Sequence, residues 1–177
     1  MPTGTGTNLF GLWQGFLLFR ELGFIDRMPR LFAVQPTGAA SLVAVWEASQ
    51  DIPATLEQVE PNAAPPISHR VSGYHAYRAM QESGGGAVVV SDDEMLVALR
   101  DLASYEGIYA ETASAAALAG IRRARAVELL NEEETHQAGV VGILTSHGLK
   151  NSLALSQHVA PPPRVAGTWE ALRDWFL

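Results

Sequence analysis

Apolar residues recur at helical spacing near the start of the chain, where Leu9, Leu12, Trp13, Phe16 and Leu17 share one face and Gly23 stops the helix after Leu22. A turn over Asp26 to Pro29 leads into Leu31-Phe32-Ala33-Val34, an apolar run of the length and composition of a short buried strand. Gln35-Pro36-Thr37-Gly38 ends that strand, and Leu42, Val43 and Trp46 restore the helical period over Ala39 to Ala48. The alternation then repeats. Tyr74 to Met80 has helical spacing, Ser83-Gly84-Gly85-Gly86 is a turn, and Ala87-Val88-Val89-Val90 is a second buried strand. Ser91-Asp92-Asp93-Glu94 forms a capping box ahead of a helix whose face is Met95, Leu96, Leu99 and Leu102. Glu106 to Ala110 closes this helix and enters a short strand, and Ala115 to Ala126 is a helix of small residues in which Gly120 permits close packing. Val140 to Leu144 reads as the last core strand. Helices alternating with all-apolar strands are the mark of an α/β fold with a parallel sheet.

The intervening stretches are polar or broken. Pro53, Pro61, Pro65 and Pro66 make Gln50 to Ser68 an extended surface excursion, read as a plain connector with a site-covering loop as the alternative, and Asn131 to Gln137 reads as a solvated acidic turn. Pro161-Pro162-Pro163 reads as a stiff linker to a terminal helix whose Trp169, Leu172, Trp175 and Phe176 pack on the body. This places a domain boundary at 160/161, with residues 1–160 as the main domain and 161–177 as linker and terminal helix.

Composition narrows the classes. A chain of 177 residues fits one domain that buries roughly 70% of its unfolded surface. Cysteine is absent, which removes disulfides, thiolate metal sites and cysteine nucleophiles and points to the cytoplasm; no metal ligand is assigned. The formal net charge is −7, with no basic stretch interleaved with aromatics, so nucleic acid is rejected as a partner. The early apolar run is broken by Gly11, Gln14 and Gly15 and lacks a basic leader, so neither a signal peptide nor a membrane span is expected. Lys150 is the single lysine.

The chemistry concentrates ahead of the first helix. In Pro2-Thr3-Gly4-Thr5-Gly6-Thr7-Asn8, two glycines bare backbone N–H groups, and Thr5, Thr7 and Asn8 add side-chain donors beside the positive end of a helix dipole. That arrangement suits a phosphate, although Thr7 or Asn8 serving as a plain N-cap explains the same residues. Neither a dinucleotide fingerprint nor a P-loop is present, because Leu9 stands where the third glycine belongs and no Lys-Ser/Thr pair follows. Only three residues precede Gly4, so the strand from which such a loop hangs is expected to be missing. Thr145-Ser146-His147-Gly148-Leu149-Lys150 follows the last predicted strand, and ligands gather at the carboxyl ends of strands in open α/β sheets. The two stretches are therefore expected to face one crevice.

Together the loop Pro2 to Asn8, the turn Glu82 to Gly85, the segment Glu111-Thr112-Ala113-Ser114-Ala115-Ala116 and the end Leu144 to Lys150 resemble threonine synthase, a pyridoxal-phosphate enzyme of fold type II. The resemblance covers the chain to about residue 152 and corresponds to the C-terminal half of such an enzyme. It implies a three-layer α/β fold, a mostly parallel sheet with helices on both faces, as an incomplete large-domain portion of the tryptophan synthase β-like fold. Gly4, Thr5, Gly6, Thr7 and Asn8 would hold the cofactor phosphate, and Thr145 the pyridine nitrogen. A hydroxyl there does not readily force a proton onto the nitrogen, which favours elimination and replacement chemistry. His147 receives no catalytic role, and Glu111 either lines the cofactor pocket or caps the next helix, capping being the reading taken.

Schiff-base formation needs a lysine, and Lys150 sits in the family's His-Gly-Leu-Lys end, so no catalytic residue is assigned within this chain. The implied activity of the whole enzyme is conversion of O-phosphohomoserine and water to threonine and phosphate, a lyase acting on a small amino-acid substrate. A threonine dehydratase or cysteate synthase is the near alternative, and an inactive fragment or a phosphate-binding module the distant one. A separate N-terminal half or a homo-oligomer would be the protein partner.

Overall fold

The computed structural model describes residues 1–49, 55–151 and 164–176. Two parallel strands, β1 (Phe32–Pro36) and β2 (Gly86–Val90), pair in register from Phe32 opposite Gly86 to Pro36 opposite Val90. Their side chains alternate between two apolar clusters, as the pleat requires. Val34, Val88 and Val90 point into a cluster with Met95, Leu99, Ala116 and Ala119, supplied by α4 (Asp92–Glu106) and α5 (Thr112–Ala126). Ala33 and Ala87 face the opposite cluster, where Leu9 and Trp13 of α1 (Thr7–Glu21), Leu42 and Val43 of α2 (Ser41–Glu47) and Met80 of α3 (Tyr74–Ser83) meet. Helices therefore cover both sheet faces, which explains why both strands are all-apolar at their centres. Each fully buried Leu or Met in these layers contributes about 1.5–3 kcal/mol.

Local signals set the element ends. The Ser91 hydroxyl accepts from Glu94 N–H at 3.2 Å and the Glu94 carboxylate accepts from Ser91 N–H at 2.7 Å, completing the capping box. Glu94 also pairs with Arg123 at 3.2 Å, tying α4 to α5. Gly120 lies against Val34 so closely that a Cβ would collide with its methyls, which sets the approach of α5 to β1.

Several expectations need correction. Met1 to Thr3 supply the rung that the sequence reading expected to be missing: Pro2 bridges Val34 in parallel, Thr3 N–H donates to Val34 O at 2.9 Å and Val34 N–H to Met1 O at 2.9 Å. Gln35 and Pro36 belong to β1 rather than ending it, because Gln35 satisfies its amide internally. Glu106 to Ala110 is no strand; Gly107 caps α4 at φ 67°, and only Ala110 bridges, antiparallel, to His147. Asn131 to Gln137 is helical instead of a turn, forming α6 (Glu132–Ala138), whose Glu132 and Glu133 complement the positive end of its dipole. Val140 to Leu144 is not a strand, since among the described residues none lies alongside to complete a ladder. It runs over α5 with Gly142 near Ile121, leaving Val141 87% exposed. The terminal helix α7 (Trp169–Phe176) forms, but Trp169, Leu172 and Trp175 are exposed rather than buried as the sequence reading expected. Pro161 to Pro163 lie outside the described residues.

Candidate functional site

The paired Met1 to Thr3 segment delivers the glycine loop to the carboxyl ends of the parallel strands. Gly4 O accepts from Ser72 Oγ at 3.0 Å and from Gln35 Nε2 at 3.4 Å, and Thr5 O accepts from Gly73 N–H at 2.8 Å. The loop carbonyls are thus turned back into the protein. Gly6 is the N-cap of α1 at φ 95°, in the left-handed region that favours glycine, and a Cβ there would collide with Ala76 of α3. No side chain caps α1, so its first-turn N–H groups, which have no carbonyl a turn earlier, open forward. The Thr5 and Thr7 hydroxyls lie 3.2 Å apart beside them.

Behind the loop stands a buried polar knot. Gln35 Oε1 accepts from Leu42 N–H at 2.8 Å and Val43 N–H at 3.2 Å, while its Nε2 donates to Ser72 Oγ at 3.1 Å. Ser72 and Ser41 hydroxyls lie 2.7 Å apart. One glutamine therefore couples the start of α2, the segment before α3 and the glycine loop.

Thr145 is held by α5 rather than by a strand end. Its hydroxyl lies 3.1 Å from Ser114 Oγ, which also accepts from Ser146 N–H at 2.7 Å. Glu111 N–H donates to Ser146 O at 3.0 Å and Gly148 N–H to Tyr109 O at 2.9 Å, clamping the turn against the entry to α5. Gly148 touches the Tyr109 ring, where a Cβ would come within 2.6 Å. His147 behaves as a turn residue, with Nδ1 accepting from Leu149 N–H at 3.2 Å and its ring edge on Tyr109.

These two constructions line one cleft of about 250 Å³. Gly4, Thr5, Gly6, Thr7 and Asn8 form one wall, and Thr145 lies on the same cleft. Lys150 and His69, both exposed, also line it and add basic side chains near the positive end of the α1 dipole. Glu111 lines it too, and here the capping expectation is corrected: Glu111 is the N-cap residue of α5, yet its side chain makes no cap bond. It is 6% exposed. The sequence reading did not single out Ser114 as Thr145's anchor, nor Gln35 as the loop's. A polar residue within an apolar strand pattern was the available signal for Gln35. Among the described residues no acidic, histidine or cysteine cluster suits a metal, and no helix is long and apolar enough to cross a membrane.

A family model described as pyridoxal-phosphate dependent enzyme matches residues 1–145. The chain belongs to this family. It is 33% identical over 177 residues to a threonine synthase of Methanosarcina acetivorans, covering 98% of this chain and 42% of the relative. It is 36% identical over 153 residues to a threonine synthase of Synechocystis sp., covering 85% of this chain and 36% of that one. The chain thus spans about two-fifths of the length of these curated relatives. Among solved structures, threonine deaminase isoform 2 from Solanum lycopersicum superposes with a TM-score of 0.64 at 21% identity, covering 88% of this chain and 41% of that one. Maize serine racemase superposes at 0.61 and 19% identity, covering 89% and 45%. These likenesses show the fold, an incomplete α/β domain of fold type II. Pyridoxal phosphate is the cofactor of the family, and the residues present fit its phosphate: uncapped helix amides, a left-handed glycine and inward-turned carbonyls leave backbone donors facing the cleft.

Proposed function

We propose that this chain is the C-terminal, cofactor-holding part of a threonine synthase-like lyase that acts on O-phosphohomoserine. The carrying observation is that the glycine loop and Thr145 line one cleft, each fixed by a separate buried anchor. Agreement of the curated relatives on threonine synthase supports the substrate class.

In this reading Gly4 to Asn8 bind the phosphate through loop and first-turn amides, with the Thr5 and Thr7 hydroxyls at the rim. Bound, pyridoxal phosphate supplies an electron sink for bond breaking at the substrate α-carbon. Thr145 offers the ring nitrogen a hydroxyl, oriented by Ser114, and leaves that nitrogen without an obligatory proton. Lys150 follows the clamped turn as an exposed charge on the cleft and is read as electrostatic, the covalent lysine coming from outside these residues.

The test is a titration of the ¹⁵N-labelled chain with inorganic phosphate and with pyridoxal phosphate. Phosphate is expected to shift the amides of residues 6–9, and the cofactor to shift those and the amides of Thr145 and Ser146. Responses centred elsewhere would overturn the cofactor assignment. The chain alone is expected to release no phosphate from O-phosphohomoserine, and release by the purified chain would overturn the assignment of the covalent lysine to another segment.

A further inference from the structure

Glu111 lines the cleft, and the reading above gives it no role. Its side chain is more than nine-tenths buried, lines the cleft, and has no hydrogen bond or ion pair among the described residues. Its main chain is fully engaged, the N–H with Ser146 O and the carbonyl with Ser114 and Ala115 N–H. The residue therefore cannot swing away without undoing the turn that holds Thr145. No described side-chain oxygen is both fully enclosed and unpaired, so the small exposed part of Glu111 includes its carboxylate, and the cleft is where that exposure leads. The first-turn amides of α5 make a negative charge tolerable there, but a carboxylate so enclosed still lacks the partner that buried charges take. Lys150, on the same cleft, makes no ion pair with it.

We propose that Glu111 is a second binding residue of this cleft: its carboxylate takes a protonated amine carried by the same small molecule whose phosphate lies on the glycine loop. The ligand class is a phosphorylated primary amine. This rests on the loop reading above and deepens it, since amides that select an anion and a carboxylate that selects a cation line the same cleft. A hydroxyl in the amine's place would still donate one hydrogen bond to the carboxylate but would lose the attraction between cation and anion.

The experiment compares pyridoxamine 5′-phosphate with pyridoxine 5′-phosphate, which differ by amine against hydroxyl, on the full ¹⁵N-labelled chain, alongside inorganic phosphate. The wild-type chain is expected to bind the amine about 5- to 10-fold more tightly, the scale of one charge-assisted hydrogen bond in a partly wet site. Glu111→Gln, nearly isosteric, is expected to abolish this preference while inorganic phosphate affinity changes by less than about 2-fold, because the loop is untouched. Equal binding of the two ligands by the wild type overturns the inference without needing any variant to fold. So does an equal loss of inorganic phosphate binding in Glu111→Gln. If inorganic phosphate fails to shift residues 6–9, the loop reading falls and this one with it; a phosphate response with no amine preference removes Glu111 alone.

Discussion

Ser114 Oγ lies 3.1 Å from Thr145 Oγ1 while accepting the Ser146 N–H at 2.7 Å. Either hydroxyl can donate in this pair; with Ser114 as the donor, the Thr145 proton is left for a ligand in the cleft. Ser114 is fully buried on the first turn of α5, so the turn carrying Thr145 inherits the rigidity of a helix packed on the sheet. Ser114→Ala is expected to leave the Ser146 amide without its acceptor and to cost about 1–2 kcal/mol. Urea unfolding measures this, and the Thr145 and Ser146 amides should exchange faster with solvent than in the wild type. An unchanged midpoint and unchanged exchange would show that the clamp rests on the Glu111 and Tyr109 bonds instead.

Gln35 carries a larger load, because two backbone amides, a serine and a loop carbonyl depend on it. Gln35→Leu removes all of these bonds at once in a fully buried place. The expected loss is about 2–4 kcal/mol, the scale of one or two buried groups left unpaired. Chemical denaturation reads the stability, and phosphate titration reads the loop, whose affinity should fall because Gly4 loses a donor. A variant that is destabilised but binds phosphate normally would separate the knot from the site.

Much of the architecture was legible because its signals are local. The Ser91 to Glu94 capping box, the stop at Gly23, the two valine-rich strands and the close packing at Gly120 each follow from a few neighbouring residues. What escaped depends on partners distant in sequence. Val140 to Leu144 has strand composition, yet a strand exists only against another, and none is alongside among the described residues. Pro2 shows the converse, gaining strand geometry from Val34 despite a poor strand sequence. In the site, the glycine loop and Thr145 were visible as residue types, whereas Glu111 was legible only as a choice between cleft residue and cap, since an acidic residue ahead of a helix ordinarily caps it.

Lys150 tests whether nearness to the cleft amounts to covalent chemistry. It lines the cleft and is exposed, its backbone N–H donating to His147 O at 3.2 Å while its side chain takes no part in the bonds that clamp the turn. An exposed lysine lacks the apolar pocket or neighbouring cation that activates an amine as a nucleophile. Borohydride treatment in the presence of low concentrations of pyridoxal phosphate, followed by peptide mapping, is expected to show no stoichiometric label on Lys150. Full, site-specific labelling would make this lysine the covalent anchor and the chain a candidate for activity by itself.

Gly6→Ala separates the backbone requirement of the loop from its ligand. At φ 95° an alanine is strained by about 1–2 kcal/mol, and its Cβ would collide with Ala76, a fully buried residue of α3. The glycine is thus required by packing against α3 as well as by conformation, and the cleft side of the loop has little to do with it. Two costs are superposed in the single variant, and they can be taken apart. Ala76→Gly removes the obstructing methyl at a helix-interior cost of about 1 kcal/mol. In a double-mutant cycle the pair Gly6→Ala with Ala76→Gly should therefore be more stable than the sum of the single changes predicts, while the strain at φ 95° remains. Phosphate affinity should fall in Gly6→Ala, because the loop must shift to relieve the collision, and recover partly in the double variant. Additive stabilities with unaltered phosphate binding would mean that the loop accommodates a side chain at this position, and the left-handed turn would lose its place in the cradle.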